Sequence, residues 1–280
     1  MTFTTHHTTN TKFFFLSLLG TVGSAQQRLV RITKEISSLL SNLPTHPSSS
    51  IFVVADGEQP NIMKVMITGP DDTPYENGCF LFDVYLPPSY PATPPTVMFQ
   101  TTNYNKVRFN PNLYAEGKVC LSLLGTWSGP GWNPKESTLL QVLLSIQGCI
   151  LVDKPFYNEP GYDEKDPSLK RSSEMYNRQI RAATASHAIR DVLRITNNDS
   201  SNSKGNPQSN LANCGMLLFK DAVQQHFKIK KALVLEMIDT WEQKVTMQIA
   251  PAVAIAPGLP GFNPNSYGMV NSGSNVAGYV

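Results

Sequence analysis

The chain has little charge for its length. Of 280 residues, 23 are Lys or Arg and 21 are Asp or Glu, for a net charge of +2. A balance so near neutrality does not call for nucleic acid as the main partner, and none is expected, because backbone binding draws on dense positive charge. Long apolar runs are also missing. No stretch reaches the roughly 18 consecutive apolar residues of a membrane-spanning helix, so no membrane span is expected. Cysteine is scarce: Cys79, Cys120, Cys149 and Cys214 stand far apart, without a closely spaced pair. That spacing argues against a structural zinc site. Cys79 and Cys149 sit in apolar runs and read as small core residues. A reduced, intracellular chain follows, cytoplasmic or nuclear. One segment points elsewhere. "KFFFLSLLGTVGSAQQ" (12–27) has a short apolar run ending near Ser24 and Ala25, like a secretory signal. Residues 1–25 are therefore read as an N-terminal extension, with secretion as the alternative.

What is present has a clear order. "RLVRITKEISSLLSNLP" (28–44) places Leu29, Ile32, Ile36, Leu39 or Leu40, and Leu43 at helical spacing, with Arg28, Arg31 and Lys34 on the other side. Pro44 ends that helix. Four strand-like runs follow: 51–55, 62–68, 79–86 and 96–100. Their short Gly-, Pro- and Asn-rich links predict an antiparallel meander with an apolar face covered by helices. "STLLQVLLSIQGCILV" (137–152) is apolar almost all round and reads as a buried helix started by Ser137. A long polar helix is expected over 173–195 and one or two further helices over 219–245, with His187 and His226 at their surfaces. A polar insertion (196–215) separates them, and an uncharged tail (246–280) follows. The fold class is α+β, one domain over 26–245.

The chemistry centres on "RFNPNLYAEGKVCLSLLGTW" (108–127). Pro111 fixes one backbone angle, and Gly117 permits a turn. Such a loop can hold Asn112 near Cys120. Cys120 opens an apolar run, so a shallow sulfur is expected. From the pattern alone, Cys120 is either packing or a nucleophile. Asn112 is either a turn residue or a donor to a developing oxyanion.

A resemblance carried by several ordered motifs bears on these alternatives. "RLVRITKEISSL", "GPDDTPYENGCFLFDVYLPPSYPATPPTVMF", "NPNLYAEGKVCLSLL" and Trp132 with "NPKESTLLQVLLSIQ" together resemble the ubiquitin-conjugating enzymes, over about residues 26–195. "NPNLY", "GTW" and "FYNEPGY" are most similar to the branch of large hybrids that join conjugating and ligase activity. The resemblance implies the UBC fold: N-terminal helix, four-stranded meander, active-site loop and C-terminal helices. It implies that Cys120 takes ubiquitin as a thioester from the activating enzyme and passes it to substrate lysine. No metal or organic cofactor is implied. Asn112 falls where the family has the Asn of its His-Pro-Asn motif, and Asn110 replaces the His. Arg28, Arg31 and Lys34 fall on the face that meets the activating enzyme. Ser122 stands where an Asp is frequent. Asp153, Glu159, Asp163 and Glu164 are the carboxylates that could assist lysine. Ala92 replaces an aromatic that many members offer to RING ligases, which implies a weaker RING contact. A UBC-like module that binds ubiquitin or a ligase without transferring anything is the alternative.

Overall fold

The computed structural model describes residues 24–197 and 215–246. Most of the signal-like segment, the polar insertion and the uncharged tail lie outside these residues, as does Cys214. Helix α1 spans Ser24–Asn42. It starts four residues before the predicted helix and ends two residues earlier. Ile32 and Leu39 are buried in the main core, and Ile36 and Leu43 pack against it. Pro44 follows at once and supplies the stop.

The four predicted strands are β2 (Ser49–Ala55), β3 (Ile62–Thr68), β4 (Cys79–Tyr85) and β5 (Thr96–Phe99). A two-residue strand, β1 (Thr45–His46), precedes them. The sheet order is β1-β2-β3-β4-β5, and every pairing is antiparallel. β1 carries no alternating pattern, so nothing in its residues announced it. A tight turn folds it back on β2, and the Ser50 hydroxyl donates to the His46 carbonyl at 2.6 Å.

Both faces of the sheet are covered, whereas the sequence reading expected one. In β4, Phe80, Phe82 and Val84 point into one core, while Cys79 and Leu81 point into another. The first core lies against α1 and helix α2 (Leu139–Ser145). Its rings Tyr75, Phe80, Phe82, Phe99 and Phe109 meet at centroid distances of 5.2–6.4 Å. Edge-on and tilted contacts like these suit the ring quadrupoles. The second core is closed by the C-terminal helices. Helix α3 (Lys170–Ala183) passes through a wide turn (Thr184–Arg190) into α4 (Asp191–Asn197). Helix α5 (Lys220–Thr246) then lays Val223, Phe227, Val234 and Met237 over Met66, Cys79 and Leu81. Among the described residues no helix is long and apolar enough to cross a membrane.

Three expectations need correcting. Thr138, not Ser137, caps α2: its side chain accepts from the Gln141 amide, and the Gln141 side chain accepts from the Thr138 amide. Such reciprocal bonds satisfy two orphan donors at a helix start. Cys149 is exposed, not core. After Ser145 the helix widens over Ile146–Ile150, so Ile146 and Ile150 stay buried while Gly148 and Cys149 turn outward. His226 is buried, because it shares the inner stripe of α5 with Val223, Phe227 and Lys230. Its Nε2 lies 3.2 Å from the Asn77 carbonyl oxygen. Burial first, and Lys230 as well, push its pKa below the ordinary value, with the Asn77 bond opposing.

Candidate active site

The loop from Arg108 to Trp127 hangs from β5. Met98 bridges to Lys118, and the Phe99 amide donates to the Gly117 carbonyl at 2.8 Å. Gly117 takes φ +93°, and a Cβ there would fall 2.7 Å from the Phe99 carbonyl oxygen. Only glycine allows so close an approach with that backbone.

Asn110 is the anchor of the loop. It is fully buried. Its Nδ2 donates to the Tyr75 hydroxyl at 2.9 Å and to the Ile150 carbonyl at 2.8 Å. Its Oδ1 accepts from the Asn112 amide at 2.7 Å and from Asn158 Nδ2 at 3.4 Å. The Tyr75 hydroxyl in turn donates to the Phe109 carbonyl at 2.9 Å. A planar amide with two donors and a two-lone-pair acceptor can fill all these roles at once. Asn110 thus ties the loop to the segment before β4, to the end of the widened turn after α2 and to the loop beyond it.

Asn112 and Cys120 face each other across the loop. The Cys120 amide donates to the Asn112 carbonyl at 2.8 Å, and Asn112 Nδ2 donates to the Cys120 carbonyl at 2.8 Å. One of the two amide hydrogens of Asn112 is therefore committed to holding the loop. Cys120 is a free cysteine, yet only 2% exposed, which corrects the expectation of a shallow sulfur. The reason is local. The chain enters Cys120 from the Leu113–Val119 bridge and leaves through a tight helical turn at Ser122–Leu124. The Gly-rich loop beyond folds back, so that a Cβ on Gly129 would sit 3.2 Å from the Ser122 Cβ. Cys79 is a second buried free cysteine: it is sealed in the second core, where burial pushes its thiol up to about 12.

Of the four candidate carboxylates, Glu159 is joined to this loop. Its Oε2 lies 3.6 Å from Arg108, whose guanidinium donates to the carbonyls of Asn110 at 3.2 Å and Pro111 at 2.7 Å. Arg108 also lies over the Tyr114 ring, 4.3 Å from its centroid. Glu164 pairs with Lys154, and Asp163 accepts from the Lys165 amide. Neither Arg108 nor Asn158 was singled out from the sequence. Arg108 serves carbonyls two and three residues on, which no side-chain pattern announces, and its link to Glu159, like that of Asn158 to Asn110, spans some fifty residues.

The basic face of α1 is not uniform. Arg28 donates to the carbonyls of Pro87 at 2.9 Å and Leu86 at 2.6 Å. Arg31 pairs with Glu35 at 2.8 Å and donates to the Ser137 carbonyl at 2.5 Å. Glu35, only 2% exposed, also accepts from the Tyr90 hydroxyl at 2.5 Å and from the Leu139 amide at 3.0 Å. Burial and the Glu35 carboxylate raise the Tyr90 pKa. Lys34 is exposed. Two of the three cations therefore fasten α1 to the body of the domain. Trp132 closes the same corner, with its Nε1 donating to the Pro91 carbonyl at 2.7 Å and its ring 5.6 Å from Tyr90.

The family model described as ubiquitin-conjugating enzyme matches residues 31–184. The chain belongs to this family. The match takes in the sheet, the loop of Asn110, Asn112 and Cys120, helix α2 and Glu159. It leaves α5 outside. Human "Dual E2 ubiquitin-conjugating enzyme/E3 ubiquitin-protein ligase BIRC6" is 44% identical over 219 residues, 76% of this chain and 4% of that protein. "Probable ubiquitin-conjugating enzyme protein 17" of Caenorhabditis elegans is 41% identical over 226 residues, 79% of this chain and 28% of the relative. Human "Ubiquitin-conjugating enzyme E2 Z" is 45% identical over 171 residues, 61% of this chain and 46% of the relative. The chain thus spans less than half the length of each of these three. The four side-chain hydrogen bonds of Asn110 make it a structural anchor of the loop.

Proposed function

We propose that this chain carries ubiquitin as a thioester on Cys120 and passes it to an amine. The observation that supports this most is a free thiol set in a fully braced loop, within a domain of the conjugating family. In the first step the Cys120 thiolate attacks the thioester carbonyl held by the activating enzyme. A new S–C bond forms, and the enzyme's own sulfur leaves as thiolate. In the second step a lysine amine attacks the same carbonyl. An N–C bond forms, the bond to Cys120 breaks, and the amine gives up one proton. The two thioesters are of similar energy, so the first step conserves the activation for the second. Thiolate is also the readiest protein nucleophile near neutral pH.

Asn112 contributes as a loop brace through the Cys120 carbonyl. The second hydrogen of its amide is the donor available to a transient oxyanion. Lys34 is the cation of α1 exposed toward an activating enzyme. Ala92 is exposed and small, in keeping with a weak RING contact. The reduced chemistry of the site fits a cytoplasmic or nuclear protein.

The 2% exposure of Cys120 favours one competing reading, a UBC-like module that binds ubiquitin and transfers nothing. A single gel separates the two. With activating enzyme, ATP and ubiquitin, the wild-type chain should form an adduct that reducing agent removes. Cys120→Ala should form none. Retained ubiquitin binding without any adduct on the wild-type chain would establish the second reading.

A further inference from the structure

One side chain holds the backbone on both sides of Cys120, and it belongs to a loop that looks merely polar. The Thr126 hydroxyl donates to the Val119 carbonyl at 2.8 Å, with the Leu121 carbonyl at 3.2 Å as a second acceptor. The same oxygen accepts from the Leu121 amide at 3.0 Å. The Thr126 amide donates to the Leu121 carbonyl at 3.3 Å. With Asn112 engaging both the amide and the carbonyl of Cys120, the peptide groups from residue 119 to 121 are pinned from two sides. We infer that Thr126 is a positioning residue for the chemistry of Cys120, acting through the backbone on either side of the sulfur.

The geometry gives this role a physical basis. Asn112 fixes residue 120 from the front of the loop. Without Thr126, residues 119 and 121 would lose the side-chain bond that joins them, and the Leu121 amide would lose its acceptor. The turn at Ser122–Leu124 starts at that point, and Gly125 closes it in the left-handed region at φ 67°. Thr126 therefore also fixes where the Gly125–Gly131 loop departs, and hence how Gly129 folds onto Ser122. A small rotation of the 120–121 peptide would swing the sulfur away from an incoming carbonyl. A displacement of about 1 Å at a reacting centre can cost on the order of a hundredfold in rate.

This inference rests on the thioester role of Cys120, and the test keeps the two apart. Thr126→Val keeps the shape and removes the hydroxyl, whereas Thr126→Ser keeps the hydroxyl. Single-turnover loading is measured against activating-enzyme concentration for wild type and both variants. Loss of the hydroxyl's bonds to Val119 and Leu121 predicts a fall of at least about tenfold in the saturated rate of Thr126→Val, with the half-saturation concentration unchanged. Thr126→Ser should stay within about twofold of wild type on both measures. Hydrogen exchange at the Leu121 amide supplies a readout free of ubiquitin chemistry. It should speed up about tenfold in Thr126→Val and keep the wild-type rate in Thr126→Ser. The inference is overturned if Thr126→Val loads like wild type, if Thr126→Ser is as slow as Thr126→Val, or if the Leu121 amide exchanges at an unchanged rate. A wild-type chain that forms no adduct while Leu121 exchange behaves as expected would instead refute the thioester role. Thr126 would then be a brace of the loop and no more.

Discussion

The two faces of the sheet are held in different ways. The first is floored by aromatic rings and buried aliphatics, and its polar groups are satisfied one by one: Asn110, Tyr75 and Glu35 each have several partners. The second is closed by α5, whose inner stripe mixes Val223, Phe227 and Val234 with His226 and Lys230. Lys230 reaches Asp71 at 3.1 Å, and its side chain is nearly buried while that of Asp71 is not. One face is a rigid floor under the site. The other is a cover held partly by groups that titrate or are screened.

The strongest way to probe this contrast is to empty each core in turn. Phe82→Ala and Phe227→Ala remove rings of the same size from the first and second face. Phe82→Ala should destabilise the domain by about 3–5 kcal/mol in denaturant unfolding, and thioester formation should fall with it. Phe227→Ala should loosen α5, seen as faster amide exchange along that helix, while loading on Cys120 persists. Equal loss of loading in both variants would show the faces to be one cooperative unit.

A smaller effect comes from pH. The folded-state pKa of His226 lies below its unfolded value of 6.5. The unfolded chain therefore takes up a proton first as pH falls. The stabilisation is complete above about 6.5 and is lost progressively from there toward the lowered folded value. Lys230 disfavours the charged ring and Asp71 favours it, and burial outweighs both. Exchange protection of α5 should weaken on acidification while that of β3 and β4 holds. His226→Gln should flatten the dependence.

The smallest expected effect is at Lys34. Lys34→Ala should leave stability within about 0.5 kcal/mol, as at most exposed positions. Its loading should fall at low salt and converge with wild type at high salt, because exposed charges are screened. A salt-independent loss would remove Lys34 from the activating-enzyme face.

Much of the first face was legible in the sequence. Phe80, Phe82 and Val84 alternate with Cys79 and Leu81, and that period fixes both the strand and its two sides. The spacing of Ile32, Ile36 and Leu39 did the same for α1. The chemical loop was legible through its motif, with Cys120 and Asn112 now joined by two hydrogen bonds. What could not be read depends on distant partners. Asn110 meets Tyr75, Ile150 and Asn158, which lie 35, 40 and 48 residues away. The burial of Cys120 depends on a turn and a loop that fold back, and neither has a hydrophobic period. α5 misled through composition: His226 and Lys230 look like surface residues until the helix is laid on the sheet. Arg28 and Arg31 likewise look solvated until backbone carbonyls are found for them.

The outward turn that follows α2 has a practical side. A thiol-directed dye or crosslinker added to the folded protein will meet Cys149 before it reaches Cys120, since one lies at the surface and the other beneath it. Any labelling meant to report on the acceptor sulfur would be answered first by a bystander in the widened turn that follows α2, unless Cys149 has been replaced beforehand.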